Sequence, residues 1–115
     1  MSELAAEPRM LIDGKLVEAV SGATYGNINP ATEEVAGEVA DAGPDDMDRA
    51  IEAARRAFDD TDWSTNPAFR QRCLQQLKDA LDKEKETLRS QLVTEVGTPI
   101  MLTYAVQQDS CIEDM

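Results

Sequence analysis

The sequence predicts an α+β chain with strands first and helices after, on the strength of its turn residues. Asp13-Gly14 and Asn29-Pro30 punctuate a β-rich first third, and Pro44 and Pro67 each stand at the start of a stretch with helical periodicity. No internal repeat or low-complexity tract interrupts this order.

The first hairpin is the clearest local prediction. Arg9–Leu11 and Lys15–Val17 flank Ile12-Asp13-Gly14, and Asp-Gly between apolar runs tolerates positive φ at both central positions. Ser21-Gly22 then turns the chain into Thr24–Ile28. Pro30 pushes Asn29 out of the helical region, so that run meets a Pro-directed turn before a second β-rich run, Val35–Val39. Residues 1–8 read as a loose polar tail without the apolar stretch of a secretory signal.

Helices take over at Gly43-Pro44-Asp45-Asp46. Proline fits the first helical position, and acids in the first turn complement the positive end of the dipole. Met47, Ile51, Ala54 and Phe58 recur at helical spacing and predict the buried stripe; Asp48, Glu52 and Arg55 mark the solvent face. After a break holding Trp63, Asn66-Pro67 opens a second helix with Phe69, Cys73, Leu74, Leu77 and Leu81 along one side. The pattern continues or restarts at Lys83–Lys85 and runs through Leu88, Leu92 and Val96. Gly97 stops it and Pro99 prevents resumption in register. A last helix is expected from Pro99 with Met101, Tyr104, Ala105, Cys111 and Ile112 on one side. It meets no stop signal before Met115, as a fragment or an early termination would.

Composition excludes several functions. The 115 residues carry 23 acids against 11 bases, a net charge of −12, which repels phosphate backbones and anionic lipid; neither nucleic acid nor membrane is an expected partner. No histidine is present, which removes histidine-based triads and histidine-ligated metals. Cys73 and Cys111 form no Cys-x-x-Cys pair and suit a reducing cytoplasm. As nucleophiles both are poor candidates, because a cysteine on the apolar side of a helix is ordinarily a small core residue. The cluster Asp45, Asp46, Asp48 is accounted for by the helix dipole, Asp59, Asp60 and Asp62 by a solvated loop, and Gly22, Gly26 and Gly37 make no dinucleotide fingerprint.

Several pieces then line up with one family. Leu11-Ile12-Asp13-Gly14-Lys15-Leu16-Val17, Ser21-Gly22-Ala23-Thr24 and Asn29-Pro30-Ala31-Thr32 are followed by Met47-Asp48-Arg49-Ala50-Ile51-Glu52-Ala53-Ala54-Arg55-Arg56-Ala57-Phe58. Glu95-Val96-Gly97-Thr98-Pro99 closes the series. In order and spacing these resemble the N-terminal segment of the aldehyde dehydrogenase superfamily, whose fold is α/β and Rossmann-like. The resemblance implies NAD(P)-dependent oxidation of aldehydes to acids by a homo-oligomer in the cytoplasm. It makes residues 9–115 an incomplete N-terminal part of a cofactor-binding and oligomerisation region.

The family's Gly-Gln-x-Cys nucleophile, Glu-Leu-Gly-Gly-Lys base and glycine-rich cofactor loop do not occur here. The chain alone is therefore expected to be inactive, to bind neither NAD nor NADP, and to self-associate through uncovered leucines. The resemblance also implies a monovalent cation held by the carbonyls of Asn27 and Ile28 with Glu95, a carboxylate at a helix C-terminus where a cation would offset the dipole. Glu33 departs from the family, which has glycine there; if the turn needs positive φ, glutamate costs roughly 1 kcal/mol. Two other readings of the same residues are a free-standing helical interaction module and a subunit completed by a separately encoded partner.

Overall fold

A computed structural model describes residues 7–115, and the first six residues of the expected tail lie outside the described residues. Two antiparallel hairpins precede five helices. Strands β1 (Met10–Ile12) and β2 (Lys15–Val17) pair with Ile12 opposite Lys15, and β3 (Thr24–Ile28) pairs with β4 (Val35–Ala40). Asp13 and Gly14 take φ values of 55° and 71°, the paired positive values that a tight hairpin requires. Pro8 accepts a 2.8 Å hydrogen bond from the Ala40 N–H, which fastens the residue before the first hairpin to the second.

The β3–β4 turn is built by Asn29. Its N–H donates to Glu34 O at 2.9 Å, its carbonyl accepts from the Glu33 N–H at 2.8 Å, and its side-chain oxygen accepts from the Ala31 N–H at 2.9 Å. This closure puts Glu33 at φ 61°, the left-handed conformation that favours glycine. Replacing Glu33 by Gly relieves the Cβ penalty but adds chain entropy to the unfolded state. We expect a gain of under about 1 kcal/mol in urea denaturation for Gly, and a loss of about 1 kcal/mol for Val, which resists this conformation.

Helix α1 (Pro44–Asp60) starts where proline and acids placed it, but its buried face differs from the expected one. Met47, Ile51 and Phe58 are exposed at 61%, 58% and 46%, and Ala54 is exposed with them. The face that packs on the first hairpin is one position earlier and made of small residues, Ala50 and the buried Ala53 beside Ile12. Small side chains let helix and hairpin approach closely, while the bulky stripe stays largely exposed. Arg56 and Asp13 bridge the same junction at 3.2 Å.

Helix α2 (Pro67–Lys83) is capped by Asn66, whose side-chain oxygen accepts from the Phe69 N–H at 3.1 Å. The restart is real: Glu84 leaves helical dihedral angles at φ −95° and ψ 9° while still bonding to Ala80 O, and α3 (Lys85–Val96) follows, ending at Gly97 with φ 70°. The single last helix is overturned. A four-residue α4 (Ile100–Thr103) and a short α5 (Asp109–Glu113) are separated by turns through Tyr104–Gln108. Thr103, Gln108 and Ile112 are the buried residues of this stretch, whereas Met101, Tyr104, Ala105 and Cys111 are exposed. Polar groups satisfied by α3, rather than an apolar stripe, decide which way the segment faces.

Leu74 and Leu77 are about half exposed, and Leu81, Leu88 and Leu92 are only partly covered, so the expected leucine stripe has no complete core behind it. Among the described residues, four apolar side chains are buried: Ile12, Ala19, Ala53 and Ile112. A radius of gyration of 16.8 Å agrees with this open packing, because a compact domain of this length has about 13 Å.

Candidate functional site

Three places carry chemistry: the junction of α3 with the β3–β4 turn, a buried arginine cluster, and a groove between helices.

At the first, the ladder is irregular between Asn27 and Ile28, with Asn27 opposite Gly37 and Ile28 opposite Val35, so Ala36 is the extra residue of a bulge. The C-terminal end of α3 reaches the same turn. A Cβ added to Gly97 would lie 2.8 Å from Pro30 Cγ, so the glycine is required both by its φ of 70° and by the nearness of the proline ring. The structure thus brings the Gly97 end of α3 to within two residues of Ile28. It shows no hydrogen bond or ion pair from the half-buried Glu95 carboxylate to Asn27, Ile28 or any other described residue. Nor do three or more acidic or cysteine side chains gather as a metal cluster among the described residues.

The second place was invisible in the sequence. Arg89, 3% exposed, lies at the centre of α3's contact with the following segment. It donates through Nη1 to Thr103 Oγ1 and through Nη2 to Asp109 Oδ1, both at 2.9 Å. It also pairs with Glu86 one turn earlier at 3.1 Å, and its guanidinium stacks 3.8 Å from the Tyr104 ring centre. Hydrogen bonding to Glu86, and then to Asp109, holds the guanidinium above its ordinary range, so it is a fixed charge. Thr103 passes its own proton to Ile100 O at 2.6 Å, and Lys85 stands 3.5 Å from the other Asp109 oxygen. The geometry of this cluster is that of a clamp holding α4 and α5 on α3.

A second buried charge, Asp46, ties α1 to the loop after β2. Its carboxylate accepts from the Val20 N–H at 3.1 and 3.3 Å, from the Gly43 N–H at 3.1 Å, and from Arg49 at 3.4 Å. Asp46 stands in the first turn of α1 as the dipole reading had it, and at 2% exposed it also joins two segments.

The third place is a groove of about 330 Å³ between α2, α3 and α5, walled by Leu88, Leu92, Val96 and Ile112. Glu95, Gln108 and the exposed Cys111 line it. Cys111 donates through its thiol to Val106 O at 3.3 Å, and Cys73 is half-buried within α2, so the two cysteines belong to different surroundings.

The junction between β4 and α1 does not fit the pyrophosphate of a nicotinamide cofactor, although its strand-to-helix connectivity could meet one. Its Gly43 N–H is already taken by Asp46, and Asp45 adds a second negative charge to the first turn. Those residues repel phosphate.

The model of the Aldehyde dehydrogenase family matches residues 16–115. DhaS of Bacillus subtilis (strain 168), named as an aldehyde dehydrogenase, is 39% identical over 113 residues, covering 97% of this chain and 23% of that protein. The NADP/NAD-dependent aldehyde dehydrogenase PuuC of Escherichia coli (strain K12) is 34% identical over 98 residues, 84% of this chain and 20% of that protein. Among solved structures, betaine aldehyde dehydrogenase from Staphylococcus aureus in complex with NAD+ superimposes with a TM-score of 0.80 at 30% identity. That match covers 93% of this chain and 20% of the other. The chain spans about a fifth of the length of the relatives it matches. With the family model matching most of the chain and the solved structure superimposing over nearly all of it, the chain belongs to the aldehyde dehydrogenase family.

Proposed function

We propose that this chain is the N-terminal part of an enzyme that oxidises an aldehyde to its acid in the cytoplasm, with NAD or NADP accepting the hydride. The nucleophile, the general base and the cofactor's phosphate cradle come from outside these 115 residues. Residues 9–115 supply scaffold to the cofactor-binding and oligomerisation region of a homo-oligomer. The observation that carries this reading is the family match over residues 16–115, joined to exposed apolar faces that need a covering body. The two free cysteines fit the cytoplasmic placement.

A monovalent cation is assigned to the carbonyls of Asn27 and Ile28 and the carboxylate of Glu95. The bulge between the first two, the approach of Gly97 to Pro30, and an acid at the negative end of α3 support that assignment. Three oxygens are fewer than the about six or more a hard cation takes, so the remaining ligands come from elsewhere. Held there, the ion would fasten the β3–β4 turn to the end of α3; its contribution is structural.

The test is a chimera in which this chain replaces the matching segment of DhaS. The chain alone is expected to reduce neither NAD nor NADP with any aldehyde, and the chimera to reduce one of them. In the chimera, Glu95→Gln should abolish any stabilisation by added potassium. Cofactor reduction by the isolated chain, lost on changing Cys73 or Cys111 to Ser, would refute the reading. So would a folded chimera that stays inactive.

A further inference from the structure

Asp13-Gly14 is the one Asp-Gly step in the sequence, and it forms the tip of the first hairpin. Such a step is chemically reactive, because the residue after the aspartate has no side chain to block its nitrogen from the carboxyl group. Both reacting groups are open here. The Asp13 side chain is 59% exposed, and the space into which a Gly14 side chain would project is empty. Gly14 lies between the paired strands, and among the described residues no hydrogen bond holds its N–H. A second susceptible step, Asp109-Ser110, is held shut. Its two carboxylate oxygens face Arg89 at 2.9 Å and Lys85 at 3.5 Å, and the Ser110 N–H is committed to Ala105 O at 3.0 Å.

We infer that Asp13 is a site of spontaneous isomerisation to isoaspartate, and that Arg56 restrains the reaction. The Gly14 nitrogen attacks Asp13 Cγ. The N–Cγ bond forms, one Cγ–O bond breaks, and that oxygen leaves as water with the Gly14 N–H proton and a proton from solvent. Water then opens the resulting succinimide. Breaking the new bond from nitrogen to Cγ restores aspartate. Breaking the bond from nitrogen to the Asp13 main-chain carbonyl carbon routes the chain through Cβ and Cγ and leaves a free carboxylate on Cα. Water is lost and regained, so the mass is unchanged and no oxidant or other reactant takes part. Ring closure needs the Asp13 carboxyl to swing onto the Gly14 nitrogen, and the Arg56 guanidinium on α1 holds it by an ion pair at 3.2 Å. Isoaspartate lengthens the two-residue loop by a methylene. The pairing of Ile12 with Lys15 is then strained, and Ile12 loses the register that buries it beside Ala53 of α1.

The experiment incubates the whole chain at physiological temperature and pH in water enriched in heavy oxygen, and follows the tryptic peptide Met10–Lys15 by chromatography and mass spectrometry. Isoaspartate appears as a second peak that carries one heavy oxygen and accepts a methyl group from an isoaspartyl methyltransferase. It should accumulate in this peptide and not in the one holding Asp109-Ser110. Arg56→Gln should speed its appearance about two- to fivefold, which is what an exposed ion pair can restrain. In urea, where the pair is gone, Arg56→Gln and the unchanged chain should isomerise at the same rate. Asp13→Glu, whose longer side chain closes a less favoured ring, should abolish the labelled peak. A folded chain that forms no labelled isoaspartate at Asp13 overturns the site. Equal rates for the folded Arg56→Gln variant and the unchanged chain overturn the restraint, as does an acceleration that persists in urea.

Discussion

Asp46→Ala should be the most damaging single substitution in the amino-terminal half, at about 3 kcal/mol. Asp46 is 2% exposed and receives two backbone N–H groups, those of Val20 and Gly43, besides Arg49. Removing the carboxylate leaves those donors facing apolar surroundings, and an orphaned buried donor costs about 1–3 kcal/mol. It also removes the acid that complements the start of α1, worth about another 0.3–1 kcal/mol. Domains of this kind have stabilities of about 5–15 kcal/mol, so the loss is a large share of the total. Asp46→Asn keeps one acceptor oxygen and should cost roughly half as much. Urea denaturation of the three proteins followed by helical circular dichroism measures the series. An alanine variant within about 0.5 kcal/mol of the parent would show that water satisfies the Val20 and Gly43 donors.

Why Asp46 was legible as a helix-start residue and not as a buried strut has a physical explanation. First-turn acids are favoured by the local dipole, and that preference is written within four residues. Its second partner, Val20, is 26 residues away, and no local pattern encodes a bond of that span. Arg89 was missed for the same reason. Its partners Thr103 and Asp109 are 14 and 20 residues distant, and its surroundings in the sequence, Thr87 to Gln91, look like an exposed helix face. The turns were readable because their chemistry is local. Asp13-Gly14 takes its two positive φ values, Asn29 closes its own turn, and Asn66 caps its own helix.

The leucine stripe, expected to stand uncovered, is about half exposed at Leu74 and Leu77, whereas the packed face of α1 is not the one its periodicity marks. Periodicity finds the largest hydrophobic face of a helix, which in a complete protein is the buried one. Here the largest faces, Met47 with Ile51 and Phe58, and Leu74 with Leu77, are exposed, and the packed face of α1 is the alanine stripe beside them. Among the described residues only the smaller face of α1 finds partners. For the proposed cation site the residues came from the family resemblance, and the fold brings their two segments near one another at Gly97 and Pro30.

That junction supplies the second large effect. Gly97→Ala should destabilise by about 2–4 kcal/mol, from two sources. The left-handed conformation at φ 70° costs a non-glycine residue about 1–2 kcal/mol. The new Cβ would also stand 2.8 Å from Pro30 Cγ, and a pyrrolidine ring cannot rotate aside as a flexible side chain would. Overpacking of this kind costs about 1–3 kcal/mol, less where the turn can shift. The two sources separate in a double-mutant cycle. Pro30→Ala removes the ring atom and should return the steric part, leaving only the backbone part of the Gly97→Ala penalty, a coupling of about 1 kcal/mol or more. Additivity within about 0.3 kcal/mol would mean that the turn already moves away from α3. The same cycle run in the chimera with and without potassium ties the packing to the cation. If the ion joins the turn to the helix end, Gly97→Ala should reduce the potassium-induced rise in Tm, and Pro30→Ala should partly restore it.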